Sequence, residues 1–372
     1  MDDQHSILDR VISSKQSTDI EQFNPTDVVS QLFKSLTPRE DDVLRRRYGL
    51  SGKPHETLEE IGATYKVTRE RVRQIENTAI TKIRKSKEFA GIITHIRSAV
   101  SSVLDQHGGI MPENLLLQQL LQVVGETDVH RNNLLFIISE LLDETFKLIK
   151  ESAEFRQSWR TVHAPMHLLR DIINESLSII TRIGKPLSAT ELLAEIKKST
   201  VYNQNQGQLT DEAIIAYVQV GQRISKNPFD EYGISDWGSI VPKRMNDKIY
   251  LVLKKAGKPM HFTEITKVIN DTKFDNRRAY PPTVHNELIL NDHYVLVGRG
   301  IYALKEWGYK PGVVAAVLQE ILRDAGRPLS RDELVQLVLK QRMVKKNTIH
   351  LALTDKSKFT KLPDGTYSPV AA

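Results

Sequence analysis

The chain has 372 residues, of which 40% are hydrophobic, and this is ample material for two to four folded domains. Its formal net charge of +6 makes it mildly basic, and the absence of cysteine excludes disulfides and thiolate metal sites. The acidic start, Met1–Arg10, lacks the apolar core of a signal peptide, and no apolar run is long enough to span a membrane.

Basic charge is concentrated in one part of the chain. Residues 35–90 contain thirteen Lys and Arg against nine Asp and Glu, whereas residues 1–34 contain three against six. The rest of the sequence is close to balanced. A local excess of positive charge is typical of a module that contacts nucleic-acid phosphates. We therefore predict an acidic N-terminal segment over residues 1–30 and a separate basic domain over residues 31–90.

Three helix starts are predicted within the basic domain. Thr37 and Glu40 form a capping-box pattern with proline at the first helical position, and Thr57 and Glu60 form a second box. Thr68 is the predicted N-cap of the third helix, without a box because an arginine stands where the glutamate would. The two helices that start after Thr57 and Thr68 are separated by a short turn. This arrangement predicts a helix-turn-helix.

The helix that follows Thr68 divides into an apolar and a polar face. One stripe holds apolar side chains at helical spacing: Val72, Ile75, Ala79 and Ile83. The opposite face is polar: Glu70, Gln74, Asn77 and Thr81, with Arg71 and Arg73 on its flanks. Arginine, glutamine and glutamate suit guanine, adenine and cytosine edges in a major groove. A merely solvated helix would instead balance Lys and Glu four residues apart, so the pattern favours a base-reading surface.

These motifs resemble region 4 of the primary, sigma-70 family bacterial sigma factors, the domain that reads the −35 promoter element. The resemblance covers about residues 30–90 and rests on LTPRE, VLRRRYGL, TLEEIG and above all VTRERVRQIE. It implies a set of DNA-binding residues in and beside the recognition helix. Those expected to touch bases or adjacent phosphates are Arg69, Glu70, Arg73 and Gln74, with Arg71 on the DNA backbone. Those of the supporting helix, whose N-terminus meets a phosphate, are Thr57, Leu58 and Glu60. Thr68 and Lys82 complete the set.

The sequence departs from the family pattern in two ways. Thr78 and Thr81 stand where the family has basic side chains that activators contact, which puts that mode of activation in doubt. A complete sigma factor also has an aromatic-rich helical domain ahead of region 4 that melts the −10 element. The segment before Leu36 is too short for it and contains only Phe23 and Phe33 as aromatic residues. We therefore expect that this chain does not open a promoter alone.

An internal repeat follows residue 90. A Gly-Lys/Arg-Pro motif ahead of a helix start recurs at intervals of about 70 residues. The copies are Gly184–Leu192, Gly257–Ile265 and Gly326–Leu334, with a degenerate one at Gly108–Leu115. Each copy lies between two predicted helices, which precede a third apolar helix and a β-rich tail such as Tyr294–Leu304. The predicted fold class is mainly α: a helix-turn-helix domain followed by tandem winged-helix units of three helices plus a β-hairpin. The predicted unit boundaries are 91–165, 166–242, 243–309 and 310–372.

The repeat units resemble the HARE-type winged helix at the N-terminus of the Gram-positive RNA polymerase delta subunit, through the GKPL…EL motif and the Gly-x-Tyr end of the wing. Their third helices are poor in basic residues, since Asp211–Tyr217 is acidic and apolar and Thr283–Leu288 is nearly uncharged. Only the fourth unit offers clustered lysines: Lys345, Lys346, Lys356 and Lys358. We therefore expect the array to be mainly a protein-contacting scaffold. Weak contacts with duplex DNA are the alternative.

The sequence contains no metal-ligand spacing and no nucleophile–base constellation. We predict no catalytic residue, no metal and no cofactor, and hence not an enzyme. The leading hypothesis is a sigma-like transcription factor that is cytoplasmic and nucleoid-associated. It would bind double-stranded promoter DNA and, by resemblance, the flap of core RNA polymerase. Two alternatives stay open: a free-standing DNA-binding repressor or regulator, and the DNA-targeting subunit of an enzyme system, because HARE-like domains also accompany restriction nucleases.

Overall fold

The computed structural model describes residues 24–370 apart from positions 276, 310, 311 and 343. The chain divides into two compact units. The first extends to Ser225 and includes Tyr232–Ser235, and the second comprises Lys226–Glu231 and the chain from Asp236 onward. Most of the acidic segment predicted over residues 1–30 lies outside the described residues. Its end forms helix α1 (Pro25–Leu32), which crosses the predicted boundary at residue 31.

Three helices follow α1 and a short 3-10 turn, Phe33–Ser35. They are α2 (Pro38–Tyr48), α3 (Leu58–Tyr65) and α4 (Arg69–Lys85). The three predicted N-caps are confirmed. Thr37 and Thr57 each form a reciprocal capping box with the glutamate three residues later, and Thr68 caps α4 without a box. These caps satisfy backbone N–H groups that have no partner inside the helix.

The first compact unit continues with three further helices and three short strands. They are α5 (Phe89–Gln106), β1 (Ile110–Pro112), α6 (Glu113–Leu120), α7 (Asp128–Phe136), β2 (Phe146–Ile149) and β3 (Ser158–Thr161). A π-helical turn, Ile137–Leu141, extends α7. Strand β3 lies between β1 and β2 and pairs antiparallel with both, with Met111 opposite Trp159. The degenerate copy of the repeat thus forms three helices and a hairpin, with a short strand between the first two helices.

A second set of elements with the same order follows it. They are α8 (Met166–Ile183), β4 (Leu187–Ser188), α9 (Ala189–Ile196), the short α10 (Thr200–Gln204), α11 (Asp211–Val220), β5 (Ile224–Lys226) and β6 (Glu231–Ile234). The sheet order is β4-β6-β5. Helix α10 was not expected from the sequence. Ser188 and Glu191 form a reciprocal capping box at the start of α9.

One apolar core is shared by the helix-turn-helix and the elements after residue 90. It contains Leu32, Phe33 and Ile83 together with Ile96 and Phe136. The rings of Phe33 and Phe136 meet edge to face at 5.7 Å between centroids. The boundary predicted at residue 90 therefore separates two sequence motifs but does not separate two hydrophobic cores, which is the criterion for an independent domain.

Helix α11 is buried against the first repeat unit. Tyr217 is fully buried, and its hydroxyl donates a 2.7 Å hydrogen bond to the carbonyl of Gly108. A Cβ atom at Gly108 would lie 2.7 Å from that hydroxyl and 2.8 Å from the Cβ of Ala213, and the residue has a φ of +71°. Only glycine fits such an approach. The guanidinium of Arg156 donates to the carbonyls of Gly221 and Ile224, both at 2.6 Å, and this binds the chain beyond α11 to the same unit.

The second compact unit contains two further copies of this arrangement. The first has α12 (Met245–Ala256), β7 (Met260–His261), α13 (Phe262–Thr272), α14 (Pro281–Leu290), β8 (Tyr294–Gly298) and β9 (Ile301–Leu304), with sheet order β7-β9-β8. The second has α15 (Val314–Ala325), α16 (Arg331–Gln341), α17 (Lys346–Leu353), β10 (Phe359–Lys361) and β11 (Tyr367–Pro369). A single bridge between Leu329 and Tyr367 replaces the third strand in the last copy. Each copy has its own core.

Candidate nucleic-acid interface

Helices α3 and α4 are joined by a tight turn that requires a glycine. Lys66 takes a left-handed conformation with a φ of 53°, and the N–H of Val67 donates to the carbonyl of Gly62 at 2.9 Å. A Cβ atom at Gly62 would lie 2.7 Å from the carbonyl oxygen of Val67. Gly62 was not among the residues expected to matter, although a glycine inside a helical pattern is a usable signal of close backbone approach.

The start of α3 holds three of the predicted DNA-binding residues. The hydroxyl of Thr57 accepts the N–H of Glu60 at 3.2 Å, and the Glu60 carboxylate accepts the N–H of Thr57 at 2.7 Å. The Thr57 hydroxyl also donates to the Glu60 carboxylate at 2.8 Å. The two hydrogen bonds that this carboxylate accepts, the backbone one first, hold the pKa of Glu60 below its usual value. The Leu58 side chain packs against the cluster of Val43, Ile61 and Val72. Glu60 and Leu58 therefore use their side chains within the protein, and it is the exposed end of α3 that is available to a phosphate.

The outer face of α4 is open to solvent and carries charged pairs. The side chains of Arg69, Glu70 and Arg73 are 74%, 54% and 53% exposed. Both oxygens of the Glu70 carboxylate accept from Arg73, at 2.9 Å from Nε and 2.6 Å from Nη2. This hydrogen bonding lowers the pKa of Glu70. Arg71 donates to the side-chain oxygen of Gln74 at 3.1 Å. The structure thus brings five predicted residues together on one accessible surface. Four of them form two side-chain pairs three residues apart, Glu70 with Arg73 and Arg71 with Gln74.

The inner face of α4 is anchored in the protein, as its spacing predicted. Val72, Ala79 and Ile83 are fully buried, and Ile75 is partly buried. One buried residue was missed. The Glu76 carboxylate lies on the same side, accepts the Tyr48 hydroxyl at 2.8 Å and has the Nε of Arg47 at 3.6 Å. Its position four residues after Val72 was a signal, but a glutamate is usually assigned to the surface.

Lys82 occupies a different position from the other candidates. It lies in the last turns of α4, where its ammonium donates to the Glu40 carboxylate at 2.5 Å. Glu40 is almost buried and also accepts the N–H of Thr37 at 2.9 Å. In the free protein Lys82 therefore fastens α4 to the start of α2. Thr68, by contrast, lies beside the exposed candidate residues at the start of α4, since its hydroxyl accepts the N–H of Arg71 at 3.2 Å.

The back of the helix-turn-helix is covered by the first repeat unit. The amide of Asn133 donates to the carbonyl of Leu50 at 3.0 Å, and that of Asn132 donates to Gly49 at 3.1 Å. At the end of α4, Arg84 bonds to the Asp143 carboxylate at 2.5 Å. The covered side and the polar side of α4 are therefore different, and the candidate DNA-binding face stays exposed in the first compact unit.

These features define a helix-turn-helix with a solvent-exposed, Arg- and Gln-bearing second helix. Residues 32–85 match the family described as sigma-70, region 4. The chain is 48% identical over 69 residues to the RNA polymerase sigma factor SigA of Nostoc sp., covering 18% of each protein. It is 50% identical over 58 residues to RpoD of Neisseria gonorrhoeae, covering 16% of this chain and 9% of that protein. The chain thus spans less than a fifth of the length of these curated relatives, and the likeness is to one domain.

The described residues contain neither a metal-binding cluster nor a membrane-spanning helix. Within residues 24–370, with the gaps given above, no group of three or more His, Asp or Glu side chains is placed to hold a metal ion. Across the same part of the chain, no helix combines the length and the hydropathy that crossing a bilayer requires.

Proposed function

We propose that this protein is a sigma-like transcription factor whose helix α4 reads a −35-type promoter element in the major groove. The observation that carries this proposal is the exposed face of Arg69, Glu70, Arg73 and Gln74 on a helix whose other side is buried. Guanidinium and amide groups are the side chains that read base edges bidentately. The match of residues 32–85 to sigma-70 region 4 supports the same assignment.

The remaining candidates would position the helix on the duplex. Arg71 and the N-terminal end of α3, with Thr57 and Leu58, would contact phosphates, since half or more of protein–DNA hydrogen bonds go to the backbone. Thr68 would fix the entry of α4 into the groove. Lys82 would reach a phosphate only by giving up its hydrogen bond with Glu40.

We further propose that residues 91–165, 166–242, 243–309 and 310–372 are winged-helix units of the HARE type that mainly contact proteins, with core RNA polymerase as the partner. The order of helices and hairpin in the four regions, with a short strand after the first helix in the first three, supports this reading. Buried α11 supports the protein-contacting role, because a winged helix that reads DNA needs a free third helix. A cytoplasmic, nucleoid-associated location belongs to the same proposal.

The test is a DNA-binding series on the full chain. Selection from randomised duplexes first defines the preferred site. Arg73→Ala and Gln74→Ala are then expected to cost about 1–3 kcal/mol on that site and much less on a scrambled duplex, whereas Arg71→Ala weakens both to a similar degree. Arg97→Ala, an exposed arginine on α5, is the charge-matched control and should leave the preference intact.

Three outcomes would reject parts of this proposal. Equal losses on selected and scrambled duplexes for Arg73→Ala and Gln74→Ala would remove the base-reading role of α4. If the full chain binds its site but does not co-purify with core RNA polymerase, a free-standing repressor or regulator becomes the better reading. A stable complex with a nuclease subunit would instead favour the DNA-targeting arm of an enzyme system.

A further inference from the structure

An open apolar groove of about 550 Å³ lies within the second compact unit. Its walls are the β8–β9 turn, the start of α15 and one face of α17. Three of its apolar side chains are strongly exposed: Leu296 at 49%, Val313 at 68% and Leu351 at 72%. Single exposed apolar side chains are ordinary, but several around one concave surface mark a binding site.

A buried arginine forms part of the same wall. Arg342 is only 5% exposed, and its Nη1 donates to the carbonyl of Leu296 on the edge strand β8. Among the described residues its Nε has no hydrogen-bond acceptor, and no carboxylate is paired with the guanidinium. Burial lowers the pKa of Arg342. A buried cation without a counter-charge is costly, so an anionic group that entered the groove would be stabilised there.

The acidic side chain in the wall does not provide that counter-charge. Asp355 accepts the N–H of Ser357 at 3.1 Å and pairs with Lys358 at 3.2 Å. Arg299 adds a second guanidinium to the lining. The groove therefore combines an apolar surface with a net positive charge, and one of its cations, the Arg342 guanidinium, is desolvated.

We propose that this groove binds a protein segment that carries a carboxylate next to apolar side chains. The carboxylate would pair with Arg342, and the apolar side chains would lie between Leu296 and Leu351. A protein segment fits better than nucleic acid, since a phosphate backbone needs several exposed cations and this wall is largely apolar. The inference deepens the protein-contacting role proposed for the array and is independent of DNA reading by α4.

The probe for the test is a random library of twelve-residue displayed peptides, selected on the immobilised full chain. We expect the enriched peptides to place Asp or Glu beside Leu, Ile, Val or Phe. The best peptide, measured by fluorescence anisotropy, should bind about tenfold more tightly than its version with Gln or Asn in place of the acid, because a charge-assisted hydrogen bond is lost.

Leu351→Glu and Val313→Glu should each weaken binding of that peptide by about tenfold or more through like charge and lost apolar contact. Both side chains are already exposed, so folding is expected to be retained and is checked by circular dichroism. Leu290→Glu is the matched control, since Leu290 is 82% exposed and does not line the groove. Arg342→Gln should abolish the preference for the acidic peptide over its amide version.

Several results would overturn the inference. These are the failure of the library to enrich any sequence, enrichment without an acidic preference, and peptide binding that survives Leu351→Glu. Binding of dodecanoate without any peptide binding would point to a small amphiphile instead. The affinity of Leu351→Glu for the selected DNA duplex should equal that of the wild type, so failure here is distinguishable from failure of the DNA-reading proposal.

Discussion

Helices α4 and α11 each complete a helical group in the first compact unit, yet they present opposite surfaces. Helix α4 exposes Arg69, Glu70, Arg73 and Gln74 along its outer side, whereas α11 buries Ala213, Ile214, Tyr217 and Val218. A helix is available to a duplex only if its polar side remains in solvent. The comparison teaches that the place of a helix in its unit does not determine a DNA-reading role; the packing around it does.

The largest effect that sharpens this comparison is expected at Tyr217. Tyr217→Ala should lower the free energy of unfolding by about 3–5 kcal/mol, because it removes a fully buried ring and leaves a cavity. Tyr217→Phe should cost only about 1 kcal/mol, the worth of the hydrogen bond to Gly108. Urea denaturation measures both. A small loss for Tyr217→Ala would show that α11 is not held against the first repeat unit.

Substitutions at two N-caps test the comparison with changes in stability of intermediate size. Thr68 caps α4 and Thr210 caps α11, each by accepting a backbone N–H three residues on. Thr68→Ala and Thr210→Ala should each cost about 1 kcal/mol of stability, measured by urea denaturation. Only Thr68→Ala should also weaken binding to the selected duplex. Equal effects of the two variants on DNA affinity would break the proposed division between the helices.

A further set of expected effects lies in the pH dependence of stability. Burial of Glu40 favours a higher pKa, but the hydrogen bonds from Lys82 and Thr37 outweigh it and hold the pKa below 4.5. This stabilisation is present above pH 4.5 and is lost as the pH falls through the folded-state pKa. Burial raises the pKa of Tyr217 from 10.0 to about 12. Its contribution is present below pH 10 and is lost as the pH rises toward 12.

Unfolding free energies at about pH 3.5, 7 and 11 should separate these two groups. Glu40→Gln should reduce the loss of stability in acid and leave the alkaline loss unchanged. Tyr217→Phe should do the reverse. Glu59→Gln serves as the control, because its side chain is 77% exposed and its nearest arginine lies 3.9 Å away. If Glu40→Gln lost as much unfolding free energy in acid as the wild type, the role given to the hydrogen bond between Lys82 and Glu40 would be contradicted.

Much of the helix-turn-helix could be predicted because its signals are local. The caps at Thr37, Thr57 and Thr68 and the buried stripe from Val72 to Ile83 depend on residues within a few turns of each other. The polar face of α4 follows from the same periodicity. Apart from α10, the helices and hairpins after residue 90 were likewise predictable from the repeated glycine and proline motif.

Other features were decided by contacts between residues far apart in sequence. The sequence did not indicate that Glu76 is buried, where its carboxylate accepts a hydrogen bond from the Tyr48 hydroxyl. It separated the basic domain at residue 90, but Phe33 and Phe136 share one core. The sequence did not mark Arg342 as a candidate binding residue, because its burial follows from packing around strand β8.

The amino-acid sequence alone thus determined which segments become helices, where they start and which side of α4 is polar, because capping and periodicity act over short chain distances. Only the tertiary structure decided that α11 is covered while α4 remains open, and that an unpaired guanidinium lines an apolar groove. Those properties depend on which surfaces exclude water from one another, and that is settled only when distant parts of the chain pack together.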